Sequence, residues 1–380
     1  MGKCILTALA ILVLALPAAA EPRKREAFEA AIDNALDYLA KSQNPDGSWT
    51  SGRQFGGGGF NQGGARDPAI TGLCVMAFLS AGHVPGEGKY ASVIENGVKY
   101  VAGSQQTNGL FAGGQSGMTT MYSHGICTLM VAEVIGLMPD RRHAATLRRQ
   151  LENAVKLIRH AQAKSGQNEG GWRYQPVPGD ADMSVTAWQV MALRAAKNVG
   201  CDIPPETVEK AVGYVKNCYD PSTGGYRYVR SGPATVPCTG AGILSLELCG
   251  KEYHRSAESL NATGYIIDQI TGRKNQGFRP GGQFGGLSQH FFYGVYYTSQ
   301  AMFQIGGDTW TWYRKYLHAL LLGPDGHPQR AGGFWTGVSG DDNMAGVNYC
   351  TAMAVLALTV EYRFLPIYQR GEEPEEREGK

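Results

Sequence analysis

Two hydrophobic patterns alternate along this chain. In the first, apolar residues recur with a period near 3.6 and leave one polar face. This predicts amphipathic helices over Ala27–Ser42, Tyr90–Ser104, Arg142–Gln162, Glu206–Cys218, Arg255–Ile270 and Thr309–Leu322. In the second, residues are apolar nearly all round, as expected of helices covered on both sides. These are Pro68–Ala81, Thr119–Leu137, Met183–Val199, Pro237–Leu248, Ser288–Ile305 and Tyr349–Tyr362. Asp182 before Met183, and Pro205 at a helix start, are N-terminal signals. The alternation predicts six helical hairpins, each pairing an outer amphipathic helix with an inner buried one.

A short pattern recurs at the end of each outer helix: an aromatic, an aliphatic, then Gln, Gly and a second aromatic. It reads Tyr38-Leu39, Gln43, Gly47, Trp49, and again Tyr100-Val101, Gln105, Gly109, Phe111. Looser copies are Leu157-Ile158, Gln162, Gly170, Trp172, and Tyr214-Val215, Tyr219, Gly224, Tyr226, with Tyr219 where Gln is expected. Two degraded copies lie around Tyr265 to Phe278 and Tyr316 to Trp335. The spacing is roughly fifty to sixty residues, which marks a repeat architecture. An open solenoid needs polar terminal caps, and neither terminal hairpin has them. Six hairpins closing on themselves remove the ends. The expected fold is all-α, a single α/α toroid over residues 21–370. A Gly-rich stretch, Ser51 to Gly64, reads as a loop.

The repeated pattern resembles the QW motif of squalene and oxidosqualene cyclases. YLAKSQNPDGSW matches it closely, and the resemblance covers almost all of the chain after its first twenty residues. MYSHGICTLMVAE and DMSVTAWQVMALRAA look like exported bacterial squalene-cyclase-like proteins without assigned activity. The resemblance, which extends to prenyltransferase-like toroids, implies a central cavity at the N-terminal ends of the inner helices. It also implies that Gln43, Gln105, Trp49, Trp172 and Trp335 staple the outer helices rather than perform chemistry.

The family's chemistry fits poorly. Class II terpene cyclases protonate an alkene with the middle acid of a D-x-D-D-T-A run at an inner-helix start. The corresponding run is Asp182-Met183-Ser184-Val185-Thr186-Ala187, which puts Ser184 at the donor position. A serine hydroxyl is too weak an acid for that step. Shifting the register to use Asp180 and Asp182 puts Met183 at the third acid and loses the Thr-Ala match. Prenyltransferases hold zinc with Asp-x-Cys and a later His. Here the nearest run is Asn348-Tyr349-Cys350. A zinc set of His124, Cys238, His290 and Cys350 is the one metal arrangement left open, but no local spacing supports it, and no cofactor is expected. The GCGEQ run of complement-type thioester domains is absent.

Inner-helix starts supply Asp67, Tyr122, His124, Asp182, Trp188, His290, Tyr293, Tyr297 and Tyr349. The expected cavity lining is Asp67, Tyr122, His124, Asp182, Trp188, His290, Tyr293 and Tyr349. Asp182, His124, His290 and Tyr122 are the candidates for acid–base chemistry. Asp67 and Asp182 also suit plain N-capping, and Glu133 sits in an apolar stretch where it needs a buried partner. An aromatic cavity without the cyclase acid suits binding of a hydrophobic, isoprenoid-like ligand or a partner protein. The alternative is an enzyme in the same cavity: a glycan lyase or hydrolase, or a divergent terpenoid or prenyl transferase.

The chain's start adds a location. Lys3, an apolar run from Ile5 to Leu16 and then Pro17 and Ala18 to Ala20 read as a secretory signal over residues 1–20, cleaved after Ala20. The run falls well short of the roughly 20 residues of a spanning helix, and no later segment is apolar enough to span. The expectation is export to the periplasm or beyond. Residues 371–380 read as a charged disordered tail. A net charge of +2 gives no sign of a nucleic-acid partner. Seven cysteines remain after cleavage, most within apolar runs, and they read as buried small hydrophobes. Cys201 and Cys218 flank a helix about 21 Å long at 1.5 Å per residue, too far apart to bridge each other.

Overall fold

The computed structural model describes residues 26–52, 64–112, 120–272, 285–287 and 290–368. The predicted signal segment, the charged tail, most of the Gly-rich loop and Phe278 lie outside these residues. The outer helices are α1 (Ala27–Ser42), α3 (Ala91–Gly103), α5 (Arg141–Ala161), α7 (Pro205–Asn217), α9 (Ala257–Thr271) and α11 (Gly307–Leu322). The inner ones are α2 (Pro68–Ser80), α4 (Thr120–Ile135), α6 (Met183–Asn198), α8 (Val236–Cys249), α10 (Phe291–Ile305) and α13 (Val347–Leu358). A six-residue helix, α12 (Gly340–Ala345), precedes α13. Every residue of α2 is buried, whereas α5 buries only one stripe.

The inner helices form a closed ring. Each packs on the next in chain order, from α2 through α4, α6, α8 and α10 to α13, and α13 packs back on α2. The fold is therefore an all-α toroid of six hairpins. The recurring Gln, Gly and aromatic residues tie neighbouring hairpins together. Gln43 Nε2 donates to the Gly47 carbonyl at 3.0 Å and to the Val93 carbonyl of α3 at 2.8 Å. Gln105 and Gln162 reach Gln150 of α5 and Thr207 of α7 in the same way. Trp49 Nε1 donates to Leu39 at the end of its own outer helix, 2.8 Å away, and Trp172 donates likewise to Ile158.

The last copy, expected to be degraded, is intact and seals the ring. Gln329 Nε2 donates to the Ala31 carbonyl of α1 at 2.7 Å, and Trp335 Nε1 donates to Leu321 at 3.0 Å. Asn348 Nδ2 adds a bond to the Thr50 carbonyl across the same seam. Gly333 makes this approach possible. Its φ is +84°, and a Cβ there would lie 2.4 Å from the Asn34 carbonyl oxygen. Gly333→Ala is expected to destabilise the protein by about 2–3 kcal/mol, from left-handed strain plus backbone displacement, read as a lower midpoint in urea unfolding.

The opposite end of the ring is stoppered by the chain itself. Leu365, Ile367 and Tyr368 are buried there. The Ile367 N–H donates to both oxygens of Glu133 on α4, at 3.2 and 3.3 Å. Tyr368 and Tyr296 share a hydroxyl–hydroxyl bond of 2.9 Å. The buried partner that Glu133 needs is thus a backbone amide. All seven cysteines in the described residues are free thiols, six of them buried. Among the described residues, no helix is long and apolar enough to cross a membrane.

Candidate functional site

The N-termini of the inner helices converge on a tyrosine-lined bowl. Asp182 caps α6, because its Oδ1 accepts from the Val185 N–H at 2.9 Å and from the Ser184 hydroxyl at 2.7 Å. Its Oδ2 lies 3.4 Å from Arg173 Nε, an ion pair rather than a well-formed hydrogen bond. Burial raises the Asp182 pKa above the usual carboxylate range, opposed by the cap bonds, Tyr228 and Arg173. Tyr122, on α4, hydrogen-bonds through its hydroxyl to Ser184 and stacks on Tyr174 with 6.2 Å between ring centroids. Tyr174 and Tyr228 share a 2.5 Å hydroxyl–hydroxyl bond, and the Arg173 guanidinium lies over both rings.

The far wall comes from α10 and α13. Tyr293 and Tyr297 pack ring to ring at 4.6 Å, and neither hydroxyl has a well-formed hydrogen bond, although both oxygens are buried. Burial pushes the Tyr293 pKa far up, with smaller contributions from Tyr297, Cys238, Tyr122 and Asp182. Tyr349 on α13 is raised first by burial, then by Asp342, Cys350, Tyr122 and Asp341. At the exposed rim, His290 Nδ1 lies 2.7 Å from Asp341 Oδ2. Asp342 turns inward instead and closes a capping box with Ser339 at the start of α12.

Of the residues predicted for the cavity, Asp182 and Tyr122 are linked through Ser184, Tyr293 and Tyr349 stand in the first turns of α10 and α13, and His290 is exposed beside Asp341. Asp67 sits at the same face as the N-cap of α2, accepting from Ala69 and Ile70 at 2.7 and 3.2 Å. Trp188 is not a lining residue: it is 2 % exposed and fills the axis of the ring, stacked on Tyr296 at 5.6 Å. The interior of the ring is packed at Trp188. Tyr174, Tyr228 and Arg173 were not among the predicted site residues. Their signal was available: each tyrosine stands two residues beyond a repeat aromatic, Trp172 or Tyr226.

His124 also leaves the site. It is fully buried, accepts the Phe111 N–H at Nδ1 (3.1 Å) and bonds the Ala154 carbonyl through Nε2 (3.1 Å). Thr71, Thr186, Thr239 and Thr351 accept the corresponding aromatic N–H groups of Trp49, Trp172, Tyr226 and Trp335. His124 is therefore a structural variant of a repeated threonine. The four members of the imagined zinc set have separate roles: His290 pairs with Asp341, Cys350 points at the Asp342 carbonyl, and Cys238 and His124 are buried. Among the described residues, no group of three or more His, Cys, Asp or Glu converges as metal ligands would.

The role of His124 has a pH signature. Burial lowers its pKa to about 4, against 6.5 for the free side chain. Below pH 6.5 the unfolded chain binds a proton that the folded chain refuses. The His124 contribution is thus present above pH 6.5 and is lost as pH falls to 4, by about 3 kcal/mol. Denaturant unfolding across that range should show this loss relative to His124→Thr, which carries no titrating group.

The fold places the chain among α/α toroids. No family model and no curated protein matches the sequence. Solved structures do match over nearly the whole ring. An inactive variant of the GH76A α-1,6-mannanase of Salegentibacter sp. HEL1_6, with α-1,6-mannotriose bound, matches at TM-score 0.62 and 10% identity, over 89% of this chain and 99% of that one. The type II terpene cyclase MstE from Scytonema matches at TM-score 0.53 and 14% identity, over 89% and 99%. Candida albicans protein geranylgeranyltransferase-I, complexed with GGPP, matches at TM-score 0.51 and 12% identity, over 90% and 96%. At these identities the likeness establishes the fold alone.

Proposed function

We propose that this is an exported protein that binds a glycan in the tyrosine bowl. The observation that carries this is the polarity of the bowl. The side chains of Tyr122, Tyr174, Tyr228 and Arg173 place hydroxyl and guanidinium groups there, backed by the buried Ser184 and Asp182, and the Tyr293 and Tyr297 oxygens have no well-formed hydrogen bond. An isoprenoid chain would leave the Tyr293 and Tyr297 hydroxyls without a partner, at a cost of about 1–3 kcal/mol each. A sugar brings hydroxyls to pair with them and C–H faces to lie on the aromatic rings. The glycan alternative therefore suits this site better than the isoprenoid-like ligand that the cyclase resemblance suggests. The mannooligosaccharide held by a toroid of the same fold supports that choice.

A second reading is hydrolysis. Glycosidases place two carboxylates across the scissile bond. The carboxylates available are Asp182, linked through Ser184 to Tyr122, and the rim acid Asp341 beside His290. Asp182 is committed to capping and to Arg173, whereas Asp341 is open and paired with a histidine. The test is calorimetric titration with neutral α-mannooligosaccharides, followed by a reducing-sugar assay on the same samples. Binding lost at least tenfold in Tyr293→Ala/Tyr349→Ala supports the glycan site. Turnover abolished by Asp341→Asn with binding retained supports hydrolysis. No binding of any neutral or charged oligosaccharide contradicts both.

A further inference from the structure

We propose that the outer face of α5 is a second binding surface, for an acidic polysaccharide lying along the wall of the ring next to the bowl. The choice of polymer rests on the glycan reading of the bowl. The net charge of +2 conceals an uneven distribution. α5 alone holds Arg141, Arg142, Arg148, Arg149, Lys156 and Arg159 against Glu152, a net +5 in 21 residues. Its inward stripe, Leu147, Leu151, Ala154, Val155, Ile158 and Ala161, is buried against the ring. The cations are left on the outside.

Arg142, Arg149 and Lys156 recur every seven residues, so they fall on one line along the helix, about 10.5 Å apart. All three are exposed, and none is in an ion pair among the described residues. Arg149 donates only to the neighbouring Thr146 hydroxyl. Arg148, by contrast, is occupied by Glu152 and by the Val199 and Gly200 carbonyls. The line continues towards the bowl face, where Arg159 and Lys164 sit together and the chain runs on to the bridge between Trp172 and Asp182.

The surroundings select among polyanions. A membrane surface would need apolar side chains to insert beside the cations, yet the exposed large hydrophobics of the described residues, Val177, Leu260 and Phe364, are elsewhere. Single-stranded nucleic acid would need aromatic platforms between the cations, and α5 carries no Phe, Tyr or Trp. A carboxylated polysaccharide needs only spaced positive charge along an open track.

The test titrates the full chain with polygalacturonate at low and physiological ionic strength, with neutral mannan alongside. Three proteins are compared: wild type, Arg142→Gln/Arg149→Gln/Lys156→Gln, and a control with Lys41→Gln/Lys99→Gln/Lys315→Gln on other outer helices. The expected result is polygalacturonate binding at least tenfold weaker in the α5 variant, with a shallower salt dependence and mannan binding unchanged. If mannan fails to bind any of the three while the α5 effect persists, the stripe stands and the bowl reading falls. Equal losses in the control variant, no polygalacturonate binding by wild type, or tighter binding of single-stranded DNA or anionic vesicles through the same cations would each overturn the proposal.

Discussion

Replacing Glu133 with glutamine is expected to raise stability at pH 9 by about 5 kcal/mol relative to its effect at pH 4. Glu133 lies on the apolar inner helix α4 and is fully buried beneath the C-terminal segment. Burial lifts its pKa to about 8, and the Ile367 N–H only partly offsets this. An unfolded glutamate ionises near 4.5. The folded-state pKa is the higher one, so the Glu133 contribution is fully present below pH 4.5. It is lost as pH rises through 8, because unfolding then releases a proton that the buried carboxyl retains. Glutamine is neutral throughout and keeps an acceptor for Ile367. The opposing slope from His124 overlaps this one between pH 4.5 and 6.5, so unfolding curves of single variants against wild type separate the two.

Trp188→Ala is expected to cost about 4 kcal/mol, typical of emptying a large buried aromatic site. Trp188 joins the two ends of the ring axis. It stacks on Tyr296 at an interplanar angle of 9°, and Tyr296 holds Tyr368 of the C-terminal segment. Its edge meets Tyr297, which packs against Tyr293 in the bowl. The cavity cannot close easily because Met121 on α4 and Val185 and Met191 on α6 itself are already buried in packed positions. Calorimetric melting should show a lower transition temperature, and ligand affinity in the bowl should fall with it. A melting point within 2 °C of wild type, where about 4 kcal/mol predicts a shift several times larger, would mean that Trp188 is not the axial packing residue described above.

The hairpins were legible because their signals are local. Periodicity marked the outer helices, continuous apolar character marked the inner ones, Asp182 fixed the start of α6, and Pro205 marked that of α7 to within a residue of the predicted range. The sealing copy was misjudged because Gly323 to Pro328 separate the end of α11 from Gln329. The offsets within Gln329, Gly333 and Trp335 repeat those of Gln43, Gly47 and Trp49. Helix α12 is too short for periodicity, although Ser339 and Asp342 carry a capping-box spacing.

The site was only half legible, for a different reason. An inner helix buried on all sides gives no sign of which residues face the axis and which face a neighbouring strand or loop. His124 and Tyr122 are two residues apart, yet one holds the Phe111 amide and the other lines the bowl. The same ambiguity hid the packing role of Trp188. A positional clue existed for His124: it follows its repeat aromatic by 13 residues, as Thr239 follows Tyr226.

The most direct test of the central claim is a glycan array probed with the purified chain, in wild-type form and as Tyr293→Ala/Tyr349→Ala. The account predicts selective retention of a defined oligosaccharide class by wild type and its loss in the double variant. Retention of no glycan, together with an isoprenoid-like mass carried through purification in native mass spectrometry, would contradict it.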